Sequence, residues 1–223
     1  MPDWGDYHAT NGRTPRLAEV WARPAIRHLG EHPGLTSTSA ILDFGCGYFE
    51  LGAALAPRVA RMDGVEIDDF SRSLAQSRSA MLPNATIHSR SEDVPAGAYD
   101  LIVANSVFQY LESDADALRT LKRFRDWLKP DGLGEVLLID LLPTRYSPHR
   151  DAMRSMWVAM WNGVPRAMAR FLWKAATHPH RRPWWKIDPP RLAELAAEAG
   201  FTCERLPRNL TPSLQRHTCR LRV

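Results

Sequence analysis

Apolar and polar positions along the chain follow two rhythms. Short apolar runs that fit buried strands stand at 40–44, 61–67, 86–88, 99–104 and 135–142, with a final pair at 201–206 and 217–223. Between them, apolar residues recur every three or four positions over 15–29, 48–56, 69–81, 114–128 and 189–199, which predicts helices. The punctuation agrees. Thr14 and Pro15 open the first helix, Pro57 and Pro83 stop two others, and Gly200 ends the last. Alternating strands and helices predict an α/β fold: a Rossmann-like three-layer sandwich on a mostly parallel seven-stranded sheet with an antiparallel last strand.

The rhythm breaks over 143–188. This stretch carries Trp157, Trp161, Trp173, Trp184 and Trp185, many arginines and several prolines. Helical spacing returns over 155–161 and 167–174. A structureless connection of that length is rare in a compact domain, so an inserted helical lid is expected. Met153, Met156, Trp157, Met160 and Trp161 fall near helical spacing. About half of them are expected in a core stripe, and the remainder against an apolar or aromatic acceptor.

Composition narrows the class. The 223 residues suit one α/β domain. No apolar run reaches the roughly 18 residues of a membrane helix, and Met1-Pro2-Asp3-Trp4-Gly5-Asp6 is polar and acidic, unlike a secretory signal. Cys46, Cys203 and Cys219 form neither a disulfide framework nor a zinc spacing. The expectation is a cytoplasmic protein with no metal and no membrane partner. The net charge of +4 is too small for a global nucleic-acid footprint. The basic, aromatic run from His178 to Lys186 reads as a solvated loop with anchored tryptophans, so no nucleic-acid partner is expected.

The chemistry centres on Ile41-Leu42-Asp43-Phe44-Gly45-Cys46-Gly47. Glycines after a buried strand let the backbone turn sharply and let a ligand lie against it. Glu66 ends the second strand about 20 residues on, where a ribose-hydroxyl acceptor is expected. A dinucleotide site would want a third glycine at position 50, where its pyrophosphate meets a helix N-terminus. Glu50 stands there and would repel a pyrophosphate, whereas S-adenosylmethionine carries no phosphate.

These residues, with four further matches, resemble the class I S-adenosylmethionine-dependent methyltransferases over about residues 38–142 and 189–206. The further matches are Gly64-Val65-Glu66-Ile67, Ser91-Glu92-Asp93-Val94-Pro95 before Tyr99-Asp100, Leu128-Lys129-Pro130-Asp131-Gly132, and Glu198-Ala199-Gly200-Phe201. The resemblance implies S-adenosylmethionine as cofactor. It puts the backbone of Gly45, Cys46 and Gly47 on the methionine moiety and Asp43 near its amino group. Glu66 then takes the ribose, Ile67 the adenine face, Glu92 and Asp93 the adenine edge, and Asn105 the space beneath the sulfonium. Tyr7, His8, Arg13 and Arg16 lie in a segment that, in some small bacterial relatives, runs over the cofactor, with an arginine facing its carboxylate. The resemblance divides the chain into a covering segment at 1–37, a cofactor domain at 38–142 and 189–223, and a substrate lid at 143–188.

Two residues depart from the family pattern. Phe49 replaces the last glycine of the turn, and its ring either reshapes the methionine pocket or enters the helix–sheet core. Arg90 stands where many relatives have aspartate. The sequence 104–109 also lacks the signature of amino-methylating nucleic-acid enzymes.

Methyl transfer is an in-line displacement in which the protein positions, desolvates and, where needed, removes a proton. His149, Tyr146 and His8 are the candidate bases. Arg145, Arg150, Arg154 and Arg166 suit an anionic acceptor or a solvated face. The expected activity is methyl transfer to an O, N or C atom of a small organic acceptor, aromatic or anionic, in secondary metabolism. A homodimer through the tryptophan-rich lid is the expected assembly. An NAD-dependent oxidoreductase and a non-catalytic S-adenosylmethionine-binding module are the alternatives.

Overall fold

A computed structural model of the chain describes residues 14–177 and 184–223. Helix α1 spans Pro15–Gly30, and Thr14 Oγ1 accepts a hydrogen bond from the Leu17 N–H at its start. Then follow β1 (Ala40–Phe44), α2 (Glu50–Leu55), β2 (Arg61–Val65), α3 (Asp69–Ser79), β3 (Ala85–His88) and β4 (Leu101–Asn105). Helix α4 (Asp114–Trp127) and β5 (Glu135–Leu141) lead to a helical pair, α5 (Pro148–Trp161) and α6 (Pro165–Thr177). Helix α7 (Pro189–Glu198), β6 (Thr202–Arg205) and β7 (His217–Arg222) complete the chain.

The seven strands form one sheet in the order β3-β2-β1-β4-β5-β7-β6. Pairings among β1 to β5 are parallel, and β7 runs antiparallel to β5 and β6. The order reverses between β1 and β4, so the loops after these strands diverge and open a crevice at their carboxyl ends. Period-two alternation sends Leu42, Ile102 and Leu138 to a core with Phe124 and Leu192, while Ile41, Val103 and Leu137 pack with Leu29, Phe49 and Leu55. The 99–100 and 128–132 matches are explained by structure. Asp100 accepts from the Ala40 N–H at 2.7 Å and from Lys129 Nζ at 2.8 Å, which pins the start of β1 to the turn after α4.

Two boundaries differ from expectation for local reasons. Strand β2 ends at Val65: the Glu66 N–H makes a last bond to the His88 carbonyl at 3.1 Å, and the chain then turns so that Asp68 caps α3. Helix α2 begins at Glu50, because Phe49 adopts a left-handed φ of 64°.

The helical pair after β5 packs on α1 through Leu17, Val20, Val158, Ala159, Val164 and Met168. The expected methionine–tryptophan core stripe is largely corrected here: of the five residues only Met156 packs, partly buried, against this cluster. Met153, Trp157, Met160 and Trp161 are exposed, and the smaller Val158 and Ala159 form the buried face. Small side chains let α1 approach closely, and the bulky ones face away. Helix α5 also starts earlier than expected, where Ser147 caps it and Pro148 takes its first position. Among the described residues, no helix is long and apolar enough to cross a membrane, and no cluster of metal-ligating side chains occurs.

Candidate functional site

The turn after β1 is held from the neighbouring strand. The Gly45 and Cys46 N–H groups donate to the Val65 carbonyl at 2.8 and 3.0 Å. Gly45 has φ 71°, and a Cβ there would lie 2.5 Å from Val107 Cγ2, so no larger residue fits. The Cys46 thiol turns away from the crevice and packs on Gly64, where an added Cβ would meet its Sγ at 2.7 Å. Only the Cys46 backbone therefore belongs to the turn. Burial beside Asp43, Glu66 and Glu50 pushes its thiol well up and keeps it protonated.

Glu66 bridges the turn and the start of α3. Its Oε2 accepts from the Gly47 N–H at 2.8 Å and its Oε1 from the Asp68 N–H at 3.0 Å. The carboxylate is thus fixed in place before any ligand arrives. Each of its oxygens can accept more than one hydrogen bond, so it retains capacity for vicinal hydroxyls.

Three buried acids meet here: Asp43, Glu50 and Glu66. Burial pushes the Asp43 carboxyl up to about 8, and the charges of Glu50 and Glu66 push in the same direction. Arg78 stands 3.4 Å from Glu50. A crevice of this polarity suits a ligand carrying positive charge, such as an ammonium or sulfonium, and opposes a pyrophosphate. The donor set therefore fits S-adenosylmethionine.

Phe49 leaves the crevice clear. Its ring is fully buried among Leu29, Ile41, Leu51 and Leu55 in the helix–sheet core. Of the two orientations the sequence allows, the ring takes the one that enters the core.

Further along the crevice edge, Ile67 is 61% exposed beside Glu66. Glu92 and Asp93 lie in a short 3-10 turn, Ser91–Asp93, after β3. Arg90 points outward and pairs with Asp93 at 3.6 Å, while Arg123 pairs with Glu92 at 3.4 Å. Asn105 closes β4, and Ser106 follows with φ 60°. Ser106 Oγ donates to Asp140 Oδ2 at 2.8 Å and to Asn105 Oδ1 at 3.3 Å.

Asp140 belongs to a cluster that sequence reasoning missed. It sits at an irregularity in β5 with φ 70°, buried, and receives Arg216 Nη1 at 2.6 Å, Thr211 Oγ1 at 2.5 Å and Asn209 Nδ2 at 3.2 Å. Burial pushes its carboxyl up, but the Arg216 charge and these hydrogen bonds outweigh burial and leave it below the ordinary value. The other nitrogen of Arg216, Nη2, donates to Asp151 of α5 at 2.9 Å and to the Tyr146 hydroxyl at 3.3 Å. One guanidinium thus ties the end of β5 to the first turns of α5. The available signals were an aspartate inside the apolar run 136–142 and an arginine at the threshold of the last strand.

The candidate bases divide. The Tyr146 hydroxyl donates to Asp151 at 2.8 Å, and burial pushes its pKa up to about 12. His149 is exposed on the first turn of α5. His8, Tyr7 and Arg13 lie outside the described residues, as do positions 178–183 of the basic run. Beyond that gap Trp185 is anchored, its Nε1 donating to Asp114 at 3.2 Å and its N–H to the Gln109 carbonyl at 3.0 Å. Arg16 lines a cleft of about 450 Å³ with Thr14, Val164, Pro165 and Arg166, between α1 and the start of α6. That cleft includes no residue of the glycine turn. Arg145 and Arg150 are exposed, and Arg154 donates to the Pro212 carbonyl at 3.4 Å.

Residues 16–206 match the family model described as a methyltransferase domain. A malonyl-[acyl-carrier protein] O-methyltransferase of Halalkalibacterium halodurans is 34% identical over 102 residues, covering 42% of this chain and 36% of that protein. A trans-aconitate 2-methyltransferase of Azoarcus sp. is 31% identical over 176 residues, covering 76% and 63%. The chain thus spans about a third of the first relative's length and under two thirds of the second's. Among solved structures, a Synechocystis magnesium protoporphyrin IX methyltransferase with bound S-adenosylmethionine superposes with a TM-score of 0.58 at 14% identity, over 90% of this chain and 76% of that one. At that identity the likeness is one of fold.

Proposed function

The chain belongs to the methyltransferase domain family, and from that premise we propose that it transfers a methyl group from S-adenosylmethionine to a small organic acid. The observation that carries this reading is the set of buried acids, Asp43, Glu50 and Glu66, around a turn whose two glycines, Gly45 and Gly47, are partly exposed. S-adenosylmethionine, when bound, supplies a methyl carbon made electrophilic by its sulfonium. Asp43 receives the ammonium group, and the backbone of Gly45, Cys46 and Gly47 lies along the methionine chain. Glu66, already oriented by two N–H groups, accepts from the ribose hydroxyls. Ile67 covers one adenine face, Glu92 and Asp93 its edge, and Asn105 the region beneath the sulfur. Arg16 serves the cofactor carboxylate or, with Arg166, an anionic acceptor in the cleft they share.

A carboxylate acceptor is ionised at neutral pH and needs no proton removed. Tyr146 holds its proton at neutral pH and acts as a donor within its cluster, and His149 faces outward. Both suit a reaction without a base better than one that deprotonates a phenol or amine. The segment 143–188, which we assign as the substrate lid, carries nine lysines and arginines against two carboxylates, a balance that attracts anions. The relatives named for malonyl and trans-aconitate substrates support the same class.

The test is incubation with methyl-tritiated S-adenosylmethionine and a panel of di- and tricarboxylic acids, phenols and amines. Label released as methanol by mild alkali marks a carboxyl ester and is the expected result. Stable label on phenols or amines alone would replace the acceptor class. Failure to bind S-adenosylmethionine or S-adenosylhomocysteine would overturn the whole reading.

A further inference from the structure

Helices α5 and α6 turn an unusual face outward. Met153, Trp157, Met160, Trp161 and Trp173 are 47–75% exposed. On α5 they recur at one-turn spacing, and Trp157 and Trp161 stack with ring centroids 5.8 Å apart. Cations are interleaved with them. Arg150 and Arg170 are exposed, and the Arg154 guanidinium lies over the Trp157 ring at 4.5 Å. The only carboxylate on either helix is Asp151, which is buried and bound to Arg216. The exterior of the pair is therefore apolar and cationic with no acid.

We propose that this face docks on the surface of a bilayer carrying anionic headgroups. Indole rings prefer the boundary between headgroups and acyl chains, where an apolar body and a polar N–H are both accommodated. Arginines beside them reach the phosphates, and long cationic side chains keep their charge in water while their stems lie on apolar surface. A helix of this composition lies in the interfacial plane. This departs from the expectation of no membrane partner, which rested on the lack of a spanning segment; a pair of helices lying flat needs none. The charge pattern favours a lipid surface over a second copy of the chain, since two such cationic faces repel each other. It also favours lipid over a soluble polyanion, which would leave three indoles and two methionines without partners. Because the start of α5 is bonded to the end of β5 through Arg216 and to the loop before β7 through Gln215, docking would hold the carboxyl-end loops of the sheet near the membrane. The proposal stands on this surface alone and does not depend on the acceptor.

The test is co-sedimentation of the full chain with vesicles of phosphatidylcholine alone and with added phosphatidylglycerol, followed by tryptophan emission. Binding confined to anionic vesicles, a blue shift, and loss of both in W157S/M160S/W161S are expected. The variant's thermal midpoint and S-adenosylhomocysteine affinity serve as folding controls. In two further single variants, Arg150→Gln and Arg170→Gln should each weaken binding roughly fivefold. No binding to anionic vesicles at low salt would overturn the proposal. So would vesicle binding undiminished in the triple variant, which would reduce the face to an electrostatic patch in which the indoles take no part. A dimer that the triple substitution dissociates, with no vesicle binding, would assign it to a second copy.

Discussion

The ring of Phe49 occupies the space that a side chain on Gly52 would need: a Cβ at position 52 would lie 2.0 Å from Phe49 Cε2 and 2.3 Å from its Cζ. The two residues are a matched pair. The family turn has glycine where Phe49 stands, and this chain keeps the left-handed backbone there, at φ 64°, with a bulky side chain. The strain is offset by burying a whole aromatic ring in the helix–sheet core.

This pairing predicts a reversal of sign. Gly52→Ala should destabilise the wild-type protein by about 1–3 kcal/mol through overpacking. Phe49→Ala should cost about 3–5 kcal/mol as a large-to-small core change. In the Phe49→Ala background, Gly52→Ala should instead be neutral or stabilising by up to about 1 kcal/mol, since alanine favours helix and the clash is gone. Urea unfolding of the four proteins gives the cycle, and additive effects would dissolve the pairing.

Glu66 links the turn to α3 before any ligand is bound, so its replacement should act twice. Glu66→Gln presents one acceptor oxygen where Gly47 and Asp68 need two. S-adenosylhomocysteine affinity should fall by about 1–3 kcal/mol, the scale of a lost charged hydrogen bond. The apo protein should also unfold at lower urea. Titration calorimetry with unchanged affinity would remove Glu66 from the ribose site.

What was legible in the sequence was local. The β1 run, Gly45 and Gly47, and Glu66 lie within a short stretch whose spacing encodes one turn and one acceptor. The fate of Phe49 was not legible from its own position, because the space for its ring is made by a glycine one helical turn later. The Asp140–Arg216–Asp151 cluster was hidden for a different reason. Its partners are 76 and 65 residues apart, and no periodicity joins a strand irregularity to an arginine before another strand. The lid tryptophans show the limit of helical spacing: it reveals that a stripe exists but not which face α1 covers.

With Asp43 at the proposed ammonium site, cofactor binding should depend on pH. Its folded pKa is raised to about 8 against an ordinary value near 4, so apo stability from this group is full at acid pH and declines as pH rises from about 4 to about 8. A ligand ammonium beside Asp43 favours the carboxylate, so binding near neutral pH should release a proton. S-adenosylhomocysteine affinity should accordingly rise between pH 6 and 8, by up to about tenfold per unit. Calorimetry in buffers of different ionisation enthalpy reads the proton directly. Asp43→Asn should abolish the release, and a wild-type affinity independent of pH would place the ammonium elsewhere.

The Arg216 cluster should respond in the opposite way. The Asp140 carboxyl is held below its ordinary value, so its contribution is present at neutral pH and is lost only as pH falls through that low folded value. Arg216→Met leaves Asp140 and Asp151 buried without their cation, a change that costs about 3–5 kcal/mol at neutral pH. Without the Arg216 charge, burial should raise the pKa of Asp140, which becomes tolerable once protonated. Acidification from pH 7.5 toward 5 should therefore narrow the stability gap between variant and wild type. Arg216→Lys should rescue little, because an ammonium does not reproduce the fork that reaches Asp140 through one nitrogen and Asp151 through the other. Thermal unfolding across that pH range decides the matter: a gap that stays constant would mean that the guanidinium acts through packing and not through the two charges it separates.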